Sequence, residues 1–66
     1  MPLIIFEGPH MDAAKKRELV RSFSEATERV TGISREHVTV VIHPNDRDNV
    51  GVGGELLSDR MARESG

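Results

Sequence analysis

Sixty-six residues make one domain with little core to spare, because a chain this short buries only about 60% of the surface its unfolded form exposes. Nine lysines and arginines against eleven aspartates and glutamates leave a net charge of −2 and no basic block. With no Trp or Tyr either, the chain lacks both the electrostatic footprint and the stacking platform that nucleic-acid binding needs. There is no cysteine, which excludes disulfides and thiolate metal sites, and His10, His37 and His43 do not fall at a metal-ligand spacing. Small domains without such staples are stabilised by oligomerisation, which is the expectation here. The longest apolar run, Leu3-Ile4-Ile5-Phe6, is far short of the ~20 residues of a membrane span. It also lacks the basic start and cleavage site of a signal peptide. A soluble cytoplasmic protein with neither membrane nor nucleic acid as partner is expected.

In chain order, residues 3–7 are apolar and rich in β-branched side chains, closed by Gly8-Pro9, which predicts a strand with both faces covered. Asp12 is a good N-cap for the next segment. From Ala13 to Thr31 the positions Leu19, Val20, Phe23, Ala26, Thr27 and Val30 recur at spacings of three and four, one stripe of an amphipathic helix. Its other face carries Glu18, Arg21, Glu25 and Arg29, with Arg21–Glu25 and Glu25–Arg29 as expected i,i+4 pairs. Gly32 ends it. Residues 34–37 read as a turn, and Val38–His43 as a second strand. Pro44–Asn49 is dense in turn formers and predicts an exposed loop. Val50–Gly54 predicts a short, glycine-broken strand or hairpin, followed by a single helical turn and a tail frayed from about residue 61. Strand, long helix, strand is the order of a crossover connection, so the two strands are predicted to be parallel. Two strands under one helix leave a sheet face and both edges open, which also points to association between copies.

Few residues carry chemistry. Pro2 is the sharpest candidate. If Met1 is trimmed, Pro2 becomes a free secondary amine, and an α-amine titrates near ~8. Apolar surroundings or a neighbouring cation lower that pKa and leave a neutral base, or a nucleophile, at neutral pH. If Met1 stays, Pro2 only begins a strand. Val50-Gly51-Val52-Gly53-Gly54-Glu55 fails as a nucleotide loop, since Leu56 stands where G-x-G-x-x-G needs its third glycine. A tight turn or a close backbone approach is the better explanation of those glycines. His43, at a strand end, is the usual place for a surface histidine. His10 lies in the loop after the first strand, where a pocket could open.

The start Met1-Pro2, the apolar first strand, KRELVRSFSEAT, VTVVIH and NVGVGGELLSDR, in this order and spacing, together resemble the small 4-oxalocrotonate tautomerase family over roughly residues 2–60. The resemblance implies a single α+β domain across residues 1–66, a β-α-β protomer with parallel strands and a short C-terminal hairpin. It further implies assembly as a homohexamer with sites at subunit junctions, a small-molecule substrate, and no cofactor or metal. Pro2 would be the general base that moves a proton between the oxygen and carbon ends of an enol. Such enols are a small 2-hydroxy-2,4-dienoate or an aryl enolpyruvate.

The chain also departs from the family pattern. Members carry one arginine after the first strand, where this chain has EGPHMD and the matching place falls at His10 or Met11, and one in the second strand, where Thr39 stands. An aromatic residue usually precedes the glycines, and here it is Val50. His10, Thr39 and Val50 are therefore the candidate pocket residues, with Arg35 and Arg47 as nearby cations that another subunit could supply. Two further readings keep the fold. One is Pro2-dependent hydration of an unsaturated acid with Glu7 or His10 activating water, and the other a non-catalytic oligomeric binding protein.

Overall fold

The computed structural model describes residues 1–65. Strand β1 (Leu3–Gly8) leads into helix α1 (Ala13–Thr31), which returns the chain to β2 (Thr39–Pro44). A minimal hairpin, β3 (Gly51–Val52) and β4 (Glu55–Leu56), precedes helix α2 (Leu57–Ser65). β1 and β2 pair in parallel from Leu3↔Thr39 to Gly8↔Pro44, as the crossover length requires. α1 is closed at both ends by the expected residues. The Asp12 carboxylate accepts the Lys15 N–H at 2.8 Å, and the Gly32 N–H donates to the Glu28 carbonyl at 2.8 Å. In the hairpin, Gly53 (φ 62°) and Gly54 (φ 88°) supply the two positive φ angles that a two-residue turn between strands demands.

Alternation along β1 decides what lies under the helix. Ile4 and Phe6 face α1, where the Phe6 and Phe23 rings meet at 6.0 Å with a 48° tilt. Leu3 and Ile5 point to the other side and stay 59% and 54% exposed, so the prediction of two covered faces fails within one chain. The reason is topological: a single β-α-β unit has only one layer with which to cover a sheet. Among the described residues no apolar side chain is buried. The radius of gyration is 15.7 Å, against about 11 Å for a compact chain of this length. The accessible surface is 4993 Å², where a compact monomer of this mass presents about 4,200 Å².

Two local expectations are also replaced. Glu25 makes neither predicted i,i+4 pair. It joins Glu28 in binding Arg35 from the turn after α1, at 3.0 Å and 2.7 Å, while Arg21 meets Glu18 at 3.6 Å. A loop guanidinium that reaches two carboxylates outcompetes a single partner on the helix surface. The C-terminal segment is not one turn with a tail frayed from residue 61, because α2 runs to Ser65. Glu55 anchors it by accepting hydrogen bonds from Arg60 at 3.1 Å and Arg63 at 2.6 Å. No helix among the described residues is long and apolar enough to cross a membrane.

Candidate active site

The two ends of the parallel pair hold different chemistry. At the start of β1 the Pro2 carbonyl accepts the Thr39 N–H at 3.0 Å, which extends the ladder one step ahead of Leu3 and fixes the backbone of Pro2. The Pro2 ring is half-buried, while Met1 ahead of it is 92% exposed and free of the sheet. Removing Met1 would therefore leave the secondary amine at the head of a strand whose position is already set by hydrogen bonding. Thr39 stands directly beside it.

At the opposite end, roughly 20 Å away at the rise of six strand residues, the loop after β2 folds back over the end of β1. The Asn45 N–H donates to the Gly8 carbonyl at 2.8 Å, and the Leu57 N–H closes the base of the hairpin on the Val50 carbonyl at 2.7 Å. Two adjoining clefts result. One, about 410 Å³, is lined by His10, Asp46, Arg47, Asp48 and Ser58. The other, about 490 Å³, has Val50, Leu57 and Met61 as apolar walls, with Glu7 and Arg47 at its polar side. Pro9, Asn45 and Arg47 belong to both.

Hydrogen bonding orders the polar groups here. His10 Nε2 lies 2.6 Å from Asp46 Oδ1. Glu7 accepts from Asn45 Nδ2 at 3.0 Å on one oxygen and has His43 Nδ1 3.2 Å from the other. Asn45 first, then His43, holds the Glu7 carboxyl below the usual carboxylate range. Each Glu7 oxygen thus has one neighbour, Asn45 or His43, and keeps a further lone pair toward solvent. Arg35 is committed. Its bonds to Glu28 and then Glu25 raise its pKa further, and the same contact lowers that of Glu28.

The four candidate residues thus separate within one protomer. Thr39 adjoins Pro2, whereas His10 and Val50 lie at the far end and could meet Pro2 only of another copy. The cause is the parallel pairing, which puts the residues that follow both strands at one end and the residues that precede them at the other. Asn45, Asp46, Leu57 and Met61 were not singled out by the sequence. The register was the available signal, since pairing Gly8 with Pro44 places Asn45 just beyond the end of β1.

The family model described as tautomerase enzyme matches residues 2–60. The chain belongs to the 4-oxalocrotonate tautomerase family. It is 40% identical over 45 residues to a 2-hydroxymuconate tautomerase of Bacillus subtilis strain 168, covering 68% of this chain and 73% of the relative. Among solved structures it resembles DmpI from Archaeoglobus fulgidus, with 40% identity, a TM-score of 0.81, and 88% of this chain and 100% of the other covered. A 4-oxalocrotonate tautomerase homologue aligns at 35% identity and a TM-score of 0.80, over 89% of this chain and 95% of the other. The protein is an isomerase with tautomerase activity.

Proposed function

We propose that this tautomerase acts after loss of Met1, with the Pro2 amine as general base on a small 2-hydroxy-2,4-dienoate or an aryl enolpyruvate. The neutral amine takes the enol hydroxyl proton, becomes an ammonium, and returns the proton at carbon, so that the enol becomes a ketone and the amine is regenerated. No oxidant or metal enters the balance. The observation that carries this reading is the bond from Thr39 N–H to the Pro2 carbonyl, which ties the Pro2 backbone to the sheet, so that loss of Met1 would set its amine free there. The B. subtilis relative's name adds support for a hydroxydienoate as one substrate to try.

The working form is a homohexamer in the cytoplasm, with His10 and Val50 of one copy completing the pocket around Pro2 and Thr39 of another. Support comes from the open apolar face of the sheet and the absence of a buried apolar side chain among the described residues. The pH dependence tests the base. On material shown by intact mass to begin at Pro2, kcat/KM for ketonisation should rise through an apparent pKa below the ordinary ~8 of an α-amine. A rate independent of pH from 5 to 9 would remove the amine from the mechanism.

A further inference from the structure

We propose that this enzyme selects enols bearing a single carboxylate on an apolar or aryl body, and that Arg47 is the side chain that holds that carboxylate. The inference rests on the tautomerase reading above and names its substrate class. Three observations lead to it.

First, of the candidate pocket residues, His10 lines one of the adjoining clefts at the end of β1 and Val50 lines the other. Arg47 lines both clefts, and it is the only lysine or arginine among the described residues that does so. Second, Arg47 is uncommitted. Arg21, Arg35, Arg60 and Arg63 are all held by carboxylates, whereas Arg47 makes no ion pair among the described residues. A planar guanidinium with free donors at the mouth of an apolar cleft suits bidentate binding of one carboxylate. Third, the remaining charges are of the wrong sign for a second one. Glu7, kept ionised by its neighbours, lines the apolar cleft, and Asp46 and Asp48 line the adjoining one. A dicarboxylate would present its other end to these anions or to the apolar wall of Val50, Leu57 and Met61. Desolvating an unpaired carboxylate there is unfavourable, whereas an aryl or alkyl group finds contact. The volume, about 490 Å³, falls in the range of small-molecule sites.

The experiment compares phenylenolpyruvate, a monocarboxylate, with 2-hydroxymuconate, a dicarboxylate, in wild type, Arg47→Ala, Arg47→Lys, Arg35→Ala and Pro2→Ala. Wild type should favour phenylenolpyruvate in kcat/KM by at least about tenfold, the scale of one charge-assisted hydrogen bond. Arg47→Ala should raise KM for phenylenolpyruvate about ten- to hundredfold, with kcat within a few-fold. Arg47→Lys should recover part of the loss, and Arg35→Ala should leave KM unchanged. Preference for 2-hydroxymuconate, or an unchanged KM in Arg47→Ala, overturns the proposal while leaving Pro2 as base. Full activity in Pro2→Ala overturns the base reading instead. Calorimetric binding of the keto product phenylpyruvate to Pro2→Ala protein, with and without Arg47→Ala, gives a readout independent of turnover. Affinity that falls with Arg47→Ala supports the assignment, and equal affinity refutes it.

Discussion

Replacing Ile5 by threonine should weaken assembly without unfolding the strand. Ile5 sits mid-strand on the open face of the sheet, 54% exposed in the isolated protomer. Full burial of an isoleucine side chain stabilises by about 1.5–3 kcal/mol, so roughly 1–1.5 kcal/mol remains to be gained where another copy covers it. Threonine keeps the branch at Cβ and hence the strand preference, but it forfeits that gain and adds a hydroxyl to desolvate. A hexamer loses the contribution at every copy, about 6–9 kcal/mol in all if the sites are independent. Sedimentation velocity over a dilution series should show the variant dissociating at protein concentrations where wild type remains assembled. Its Tm should depend more steeply on concentration, since assembly stabilises by mass action. Identical mass and midpoint for the two proteins would mean that this face is not the interface, and the argument from exposed apolar surface would fail.

Asp12→Ala removes the acceptor for the Lys15 N–H and should cost about 1 kcal/mol, read as a lower urea midpoint at unchanged slope. Gly8→Ala should destabilise by about 1–3 kcal/mol, because a Cβ at residue 8 would come within 2.5 Å of the Phe6 ring and force it from its place beside Phe23; an unchanged Tm would show that the ring yields freely. The Glu28 carboxyl is held below its ordinary value of 4.5 by Arg35. Its contribution is therefore complete above that value and is lost as pH falls through the lowered folded pKa. Glu28→Gln should accordingly flatten the acid limb of a stability–pH curve below about pH 5 and leave its shape near pH 7 unchanged.

Most of the protomer was legible because its signals are local. Asp12, the apolar stripe of α1 and Gly32 mark a helix whose ends match those observed, and the paired glycines mark the hairpin turn. What escaped is set by choices between partners. Glu25 had an arginine at i−4 and at i+4 but took Arg35, ten residues on, because the turn after α1 brings that guanidinium within reach of Glu28 as well. The length of α2 depended on Arg60 and Arg63 converging on Glu55, which no single-residue preference announces. Of the candidate site, the adjacency of Pro2 and Thr39 follows from parallel pairing. His10, Val50 and Arg47 stand out one by one in the sequence, but their gathering with Asp46 at the other end depends on a loop whose residues say only that it turns.

The central claim is that a trimmed Pro2 is the base, and ketonisation by wild type and Pro2→Ala tests it most directly. Alanine still permits removal of Met1, so the exchange replaces a cyclic secondary amine by a primary one at the same place. Ultraviolet absorbance with phenylenolpyruvate and 2-hydroxymuconate should show kcat/KM falling at least about a hundredfold in the variant on whichever substrate wild type uses, the lower end of a general-base contribution. Equal turnover by the two proteins would contradict the account.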